Sequence, residues 1–114
     1  MKQSRRTAFI LAAGLGTRLK ELTKDKPKAL VSIDKVPLLK VILEDLIKRD
    51  FNHIVVNIHH FGEQIINFLN ENKFPNVEIE ISDERNLLMD TGGAILRALP
   101  HFAQSEAVLV HNVD

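Results

Sequence analysis

The sequence predicts an α/β fold in which helices pack on a mostly parallel sheet. Short apolar segments alternate with amphipathic ones in the order strand, helix, strand, helix, strand, helix, strand. The composition, 45% hydrophobic and 26% charged residues in a chain of 114, is ordinary for one globular domain. A turn with two glycines and an aspartate, Asp114, each follow a predicted strand. Sheets of this kind bind ligands beyond the carboxyl ends of their strands.

The first elements are predicted from apolar runs and proline placement. Residues 7–12 read as a buried strand because they are short and apolar. A loop covers 13–28, and a loop of this length inside a compact domain is usually functional. A helix begins at Pro37, a residue that suits a first helical turn, and its apolar side chains recur at helical spacing as far as Ile47. Residues 53–58 form the second predicted strand.

The later elements follow the same rules. Residues 62–72 form a second amphipathic helix, and 77–81 alternate apolar and acidic residues as a half-exposed strand does. A third helix covers 91–99 and is ended by Pro100, and 107–113 form a last apolar strand. Because an α/β domain seldom ends on an uncovered strand, we expect the chain to be the front part of a longer protein.

Composition also limits the class of protein. Without cysteine there are neither disulfides nor thiolate metal sites, which fits a reducing compartment. The apolar run at 9–13 is too short for a signal peptide, and no segment approaches the roughly 18 apolar residues of a membrane span. We therefore expect a cytoplasmic protein that has neither a membrane nor a nucleic acid as a partner.

The net charge is zero but unevenly distributed. Residues 1–28 contain eight basic and two acidic residues, whereas the rest of the chain contains seven basic and thirteen acidic ones. A basic N-terminal section favours an anionic ligand. Lys2, Arg5 and Arg6 fit a solvated tail, while Arg18 and Lys28 lie inside the glycine-containing segment and point to a specific anion site.

The most informative segment is LAAGLGTRL at 11–19, followed by PKAL at 27–30. Its glycines let the backbone approach a polyphosphate, and Arg18 and Lys28 supply two cations. The segment is neither a Walker A loop, which needs G-x-x-x-x-G-K-[ST], nor the dinucleotide fingerprint, because Leu19 occupies the third glycine position. On its own, the glycine pair fits a plain tight turn equally well.

The ordered set of motifs resembles the sugar-phosphate nucleotidyltransferases, also called nucleotide-sugar pyrophosphorylases. Their pattern is roughly LAAGxGTRL, then PKxL, then PLL, and the chain matches it at 11–19, 26–31 and 35–39. The match continues at 62–65 and at 90–94, where DTGGA resembles an ETAGG-type nucleotide loop. The resemblance implies a Rossmann-like three-layer sandwich, incomplete at its C-terminus, with 1–114 as the nucleotide-binding part and the sugar-binding part absent.

The resemblance also implies a reaction. A nucleoside triphosphate and a sugar 1-phosphate give a nucleotide sugar and pyrophosphate, with uridylyl or guanylyl transfer favoured. The phosphate oxygen is already a nucleophile, so catalysis consists of holding two anions in line and offsetting their charge. Two alternatives stay open: transfer to a non-sugar phosphate such as phosphocholine, and a fragment that binds nucleotide without turnover, for which the missing sugar site argues.

Residue roles follow from the matched motifs. Arg18 would contact the β- and γ-phosphates, and Lys28 would lie between the attacking phosphate and the α-phosphate. The remaining nucleotide contacts would be the apolar Leu11, Ala12 and Ala13 against base and ribose, the backbone N–H groups of Gly14, Gly16 and Thr17 on the triphosphate, and the Thr91, Gly92 and Gly93 segment over the base.

Asp114 matches the first Mg²⁺ ligand of the family, and a carboxylate beside phosphates suits this ion. The family commonly has Gly-Asp here, whereas this chain has Val113 before the acid. The second metal ligand has no counterpart. The five histidines show no metal-binding spacing, and the DER sequence at 83–85 is expected to be a solvated turn. An oligomer is possible through the exposed edge of the sheet.

Overall fold

The computed structural model describes residues 5–13, 26–59, 61–86, 91–103 and 105–113. Its helices and strands are β1 (Arg5–Leu11), β2 (Ser32–Ile33), β3 (Val36–Pro37), α1 (Leu38–Lys48), β4 (His53–Ile58), α2 (Gly62–Glu71), β5 (Glu78–Asp83), α3 (Thr91–Ala98) and β6 (Ser105–Asn112). In the described ranges, short 3-10 turns lie at Lys28–Leu30 and Leu99–Phe102. Every predicted helix and strand is present, with ends that differ by a few residues.

The main sheet has the order β5-β4-β1-β6, and all of its strand pairs are parallel. The chain moves outward from β1 to β4 and β5, then returns to the other side of β1 as β6. The strand order therefore reverses between β1 and β6, where Leu11 lies opposite Asn112. In an open α/β sheet, the crevice at such a reversal is the usual ligand site.

Helices cover both faces of the sheet, as the three-layer prediction requires. Even-numbered residues of β1 such as Ala8 and Ile10 point into a large apolar cluster that contains α1 and α2. Phe9 and Val55 point to the opposite face and pack against α3. This division follows from the period-two alternation of side chains along a strand.

The hairpin of β2 and β3 was not predicted. Its two turn residues, Asp34 and Lys35, both have positive φ, at 51° and 70°. A two-residue hairpin turn needs this backbone, and glycine or asparagine usually supplies it. Because Asp-Lys is a weak turn signal, the sequence does not predict this hairpin. The hairpin leads directly into α1, where the Leu38 N–H donates a hydrogen bond to the Val31 carbonyl at 2.9 Å.

The second unpredicted feature is the continuation after α3. Pro100 does not end the helical path but lies inside the 3-10 turn Leu99–Phe102, close to its start. Proline is tolerated there because the first N–H groups of a helical turn have no partner within it. Among the described residues, no helix combines the length and the apolar character that a membrane crossing requires.

Candidate functional site

The carboxyl ends of the four parallel strands lie at the same end of the sheet. At this end, β1 finishes at Leu11 and β6 finishes at Asn112, directly beside each other. The predicted phosphate-binding segment begins at this end of β1. Its residues Gly14, Gly16, Thr17 and Arg18, together with the predicted metal ligand Asp114, lie outside the described residues. The other predicted site residues, Leu11, Ala12, Ala13, Lys28, Thr91, Gly92 and Gly93, lie within them.

Asn57 holds the backbone where the chain leaves β1. Its Oδ1 accepts hydrogen bonds from the N–H groups of Ala12 and Ala13, at 2.5 and 3.0 Å. The pairing of β1 with β4 stops at Ile10 and Val56, so the Asn57 side chain continues the bonding after the strand ladder ends. Both alanines are buried. The segment that enters the glycine motif therefore has a fixed starting direction.

Glu84 in turn holds Asn57. The Asn57 Nδ2 group donates a hydrogen bond to the Glu84 carboxylate at 2.9 Å, and these side chains are only 3% and 1% exposed. The Glu84 backbone is tied to β4 as well, since its N–H donates to the Ile58 carbonyl at 2.8 Å and its carbonyl accepts from His59 Nδ1 at 2.7 Å. The ends of β1, β4 and β5 are thus joined by one buried network.

The expectation of a solvated turn at Asp83, Glu84 and Arg85 was wrong for Glu84. Asp83 and Arg85 do form a surface ion pair at 2.7 Å, and hydrogen bonding to Arg85 holds the pKa of Asp83 below its ordinary value. Glu84 instead lies directly after β5 and is buried, as is Ser82 two residues before it. An asparagine inside the apolar strand β4 was the available sequence signal.

Lys28 is placed by a firmly packed turn. It begins the 3-10 turn Lys28–Leu30, closed by hydrogen bonds from Leu30 N–H to the Pro27 carbonyl and from Val31 N–H to the Lys28 carbonyl. Ala29 is fully buried in the same apolar cluster as Ala12. The backbone at Lys28 therefore has a fixed position relative to the core, while its own side chain is half-buried.

The predicted glycine pair Gly92-Gly93 lies in the first turn of α3. Gly92 is exposed, whereas Ala94 two residues later is buried against the far face of the sheet. Arg97 ties this helix to the end of β5, because its Nε donates a hydrogen bond to the Asp83 carbonyl at 2.9 Å. The helix that begins with the glycine pair is thereby tied, at its last turn, to the end of β5.

The described residues contain no group of three His, Asp or Glu side chains that could hold a metal ion. The residue before the predicted ligand Asp114 is nevertheless well placed. Val113 is buried in the apolar cluster that contains Ala12, and its N–H donates to the Asn112 side chain at 2.9 Å. Valine in place of the family's glycine therefore has a packing site. One carboxylate beside phosphate oxygens is a donor set that fits Mg²⁺.

Comparison with known proteins agrees with this geometry. N-acetylmuramate alpha-1-phosphate uridylyltransferase of Caulobacter vibrioides is 38% identical over 116 residues, which covers 100% of this chain and 48% of that protein. D-glycero-alpha-D-manno-heptose 1-phosphate guanylyltransferase of Campylobacter jejuni is 36% identical over 104 residues, which covers 91% of this chain and 46% of that protein. The chain thus spans about half the length of these relatives.

A solved structure shares the fold. HddC from Yersinia pseudotuberculosis complexed with GMP-PN superposes with a TM-score of 0.80 at 33% identity, over 95% of this chain and 47% of that one. The family model described as Nucleotidyl transferase matches residues 7–114, so the match includes β1 from Thr7 onward, the glycine-containing segment and every later element. The chain therefore belongs to the nucleotidyl transferase family.

Proposed function

We propose that the protein transfers a nucleoside monophosphate from a nucleoside triphosphate to a sugar 1-phosphate and releases pyrophosphate. The observation that carries the proposal is the position of the LAAGLGTRL segment, whose first residue ends β1 beside β6 at the reversal of strand order. Membership of the family and two relatives that act on sugar 1-phosphates support it. Because both substrates are phosphorylated metabolites, we place the reaction in the cytoplasm.

The chemistry assigned to this chain is mainly electrostatic. Arg18 would hold the β- and γ-phosphates, and Lys28 would neutralise charge between the attacking phosphate and the α-phosphate. The attacking oxygen needs no general base, because a phosphate oxygen is already a nucleophile. Fixed cations around two anionic substrates both align them and offset their repulsion, which is where the rate enhancement would arise.

Asp114 is the residue that we propose to hold Mg²⁺ when the triphosphate binds. The ion would supply positive charge next to the phosphates. Asp114 stands two positions after the end of β6 in the sequence, and β6 ends beside the last residue of β1, which supports this assignment. Removal of Mg²⁺ by a chelator should therefore abolish turnover and weaken triphosphate binding.

The base stays open between uracil and guanine. The uridylyltransferase and the guanylyltransferase relatives are 38% and 36% identical to this chain, a difference too small to choose between them. The test is a screen of the full-length protein with UTP, GTP, CTP, ATP and dTTP against a panel of sugar 1-phosphates, with pyrophosphate as the readout. Phosphocholine belongs in the panel as the non-sugar alternative. No pyrophosphate from any combination would refute the proposal.

A second function fits one specific observation. These 114 residues span about half of the relatives. We propose that, by themselves, they bind the triphosphate and do not turn it over, because the acceptor-sugar site and the second metal ligand would lie in the other half. Calorimetry with triphosphate alone separates binding from turnover.

A further inference from the structure

We propose that Asn57 and Glu84 are positioning residues that set the direction of the backbone entering the phosphate-binding segment, so that triphosphate affinity depends on their hydrogen bond. The inference rests on the proposed function. Its basis is a buried chain of contacts in which Glu84 accepts from the Asn57 amide and Asn57 accepts from two backbone N–H groups.

Glu84 is necessary because it sets which end of the Asn57 amide donates and which end accepts. An asparagine side chain has one accepting end and one donating end, which differ little in shape. Glu84 accepts from Nδ2, and this leaves Oδ1 facing the N–H groups of Ala12 and Ala13. With the amide reversed, two donors would face two donors. The carboxylate therefore selects the orientation that holds the backbone.

The two alanine N–H groups consequently belong to Asn57 and not to a ligand. Ala13 directly precedes Gly14, so the phosphate-binding segment starts from a backbone that is fixed on one side. A small displacement at this point would change the direction in which the chain enters the segment. Misplacement of donors by about 1 Å is enough to cost a binding or catalytic site much of its effect.

The network also reaches the other predicted nucleotide contact. Residue 84 follows Asp83, whose carbonyl accepts a hydrogen bond from Arg97 of α3. The same helix contains Gly92 and Gly93 in its first turn. Asn57 contacts the residues that precede the phosphate-binding segment, and Glu84 follows the residue that holds α3. A change in their contact should therefore alter the affinity for the triphosphate rather than for the sugar phosphate.

The test exchanges the hydrogen-bond donor and the acceptor between residues 57 and 84. Asn57→Asp keeps an acceptor for the two N–H groups but sets a carboxylate against Glu84, and like charges at this distance repel. We expect triphosphate affinity to fall about tenfold or more at pH 8. Adding Glu84→Gln supplies a donor to the new carboxylate, so Asn57→Asp/Glu84→Gln should regain affinity.

The readouts are triphosphate affinity by calorimetry, KM for each substrate, and exchange of the Ala12 and Ala13 amide protons. Asn57→Ala should speed that exchange and raise KM for the triphosphate more than it lowers kcat. Thr7→Val is the matched control, because it removes a buried 2.9 Å hydrogen bond to His53 at the other end of the same strand. It should lower the melting temperature and leave triphosphate affinity unchanged.

The outcomes separate the two ideas. If the wild-type protein binds no nucleoside triphosphate, the proposed function is wrong. If the wild type binds and Asn57→Asp binds equally well at pH 8, only the positioning role is wrong. The positioning role is also overturned if the double variant binds triphosphate no better than Asn57→Asp does. The same holds if Thr7→Val weakens triphosphate binding as much as Asn57→Ala does.

Discussion

Lys28 offers a clean separation of chemistry from folding, because its backbone is held by its neighbours. Pro27 and Ala29 are buried on either side, and the turn is closed by backbone hydrogen bonds. Lys28→Ala should therefore leave the melting temperature close to that of the wild type and lower kcat by about 10²- to 10³-fold, the typical loss for one charge-stabilising donor. Lys35→Ala at the exposed hairpin tip is the control. An unchanged kcat in a stable variant would contradict the assigned role.

Arg18 tests the shape of a cation rather than its charge. Its guanidinium can donate to two phosphate oxygens at once, whereas a lysine ammonium is a point charge. Arg18→Lys should weaken triphosphate binding about tenfold and should leave sugar phosphate affinity alone. Calorimetry measures this, with Arg49→Lys on the exposed end of α1 as the control. Equal triphosphate affinity for the variant and the wild type would count against the contact.

At the scale of single residues, the sequence identified what short motifs encode and missed what distant contacts create. Lys28 could be selected because it stands at a fixed spacing behind the glycines. Asn57 and Glu84 could not, since the function of each depends on a partner 27 positions away along the chain. An asparagine in a buried strand does signal that a partner exists, but one sequence does not say which residue provides it.

Among the structural elements, the amino ends of the strands carry a second polar cluster, remote from the candidate site. Glu80 of β5 contacts His53 of β4, with a hydrogen bond also to His101 at 3.4 Å and Arg5 nearby at 4.0 Å. Burial raises the pKa of Glu80, but the hydrogen bonds and charges of His53 and His101 lower it by more, so the pKa lies below its ordinary value.

The sign of the pH effect follows from that lowered pKa. A carboxyl with a lower pKa in the folded state stabilises the fold above its unfolded value of 4.5, and this stabilisation disappears as the pH falls through the folded pKa. Chemical unfolding from about pH 6 to pH 3 should show the loss, and Glu80→Gln should flatten it. Glu78→Gln, an exposed neighbour on β5, is the control and should keep the wild-type slope. A wild-type slope in Glu80→Gln would refute the assignment.

An aromatic contact packs the turn after α3 against β1. Phe102, in the 3-10 turn after α3, meets Phe9 of β1 edge to face, with ring centroids 5.4 Å apart. Phe102→Ala should cost about 3 kcal/mol of unfolding free energy and should weaken triphosphate binding, because Gly92 and Gly93 begin the same helix. Leu99→Ala, half-exposed in that turn, is the control. Unaltered affinity in Phe102→Ala, despite the lost stability, would show that α3 does not position the nucleotide.

Periodicity predicts elements better than it predicts connections. Strand β4 was predicted with its observed ends, and the parallel arrangement followed from helices between successive strands. The β2–β3 hairpin was not predicted because Asp34 and Lys35 adopt positive φ without a glycine. The hairpin connects the Lys28 turn to α1, and its two turn residues are not those that usually predict a hairpin from sequence.

On the scale of the whole molecule, the most consequential surface is that of β6. In the described part of the chain β6 is an edge strand, and Leu109 and Val110 on it are 45% and 42% exposed. An exposed apolar edge is a surface that other strands can join. Self-association through this edge stays a prediction. Sedimentation of the 114-residue chain should show concentration-dependent association, and Leu109→Lys/Val110→Lys should remain monomeric. A wild-type chain that stays monomeric at high concentration would contradict it.

The last prediction separates triphosphate binding from turnover. The strand order reverses between β1 and β6, the strands that precede the LAAGLGTRL segment and Asp114 in the sequence, and these 114 residues span about half of the relatives. We expect the 114-residue chain alone to bind triphosphate and release no pyrophosphate, while the full-length protein releases it. Triphosphate binding should survive because it needs only residues at the carboxyl ends of these strands, whereas turnover also needs the acceptor held in line. Both preparations are compared by calorimetry and by pyrophosphate assay under the same conditions, with Lys28→Ala in the full-length protein as the blank. Pyrophosphate release by the 114-residue chain at a rate close to that of the full-length protein would show that the acceptor site lies within these residues.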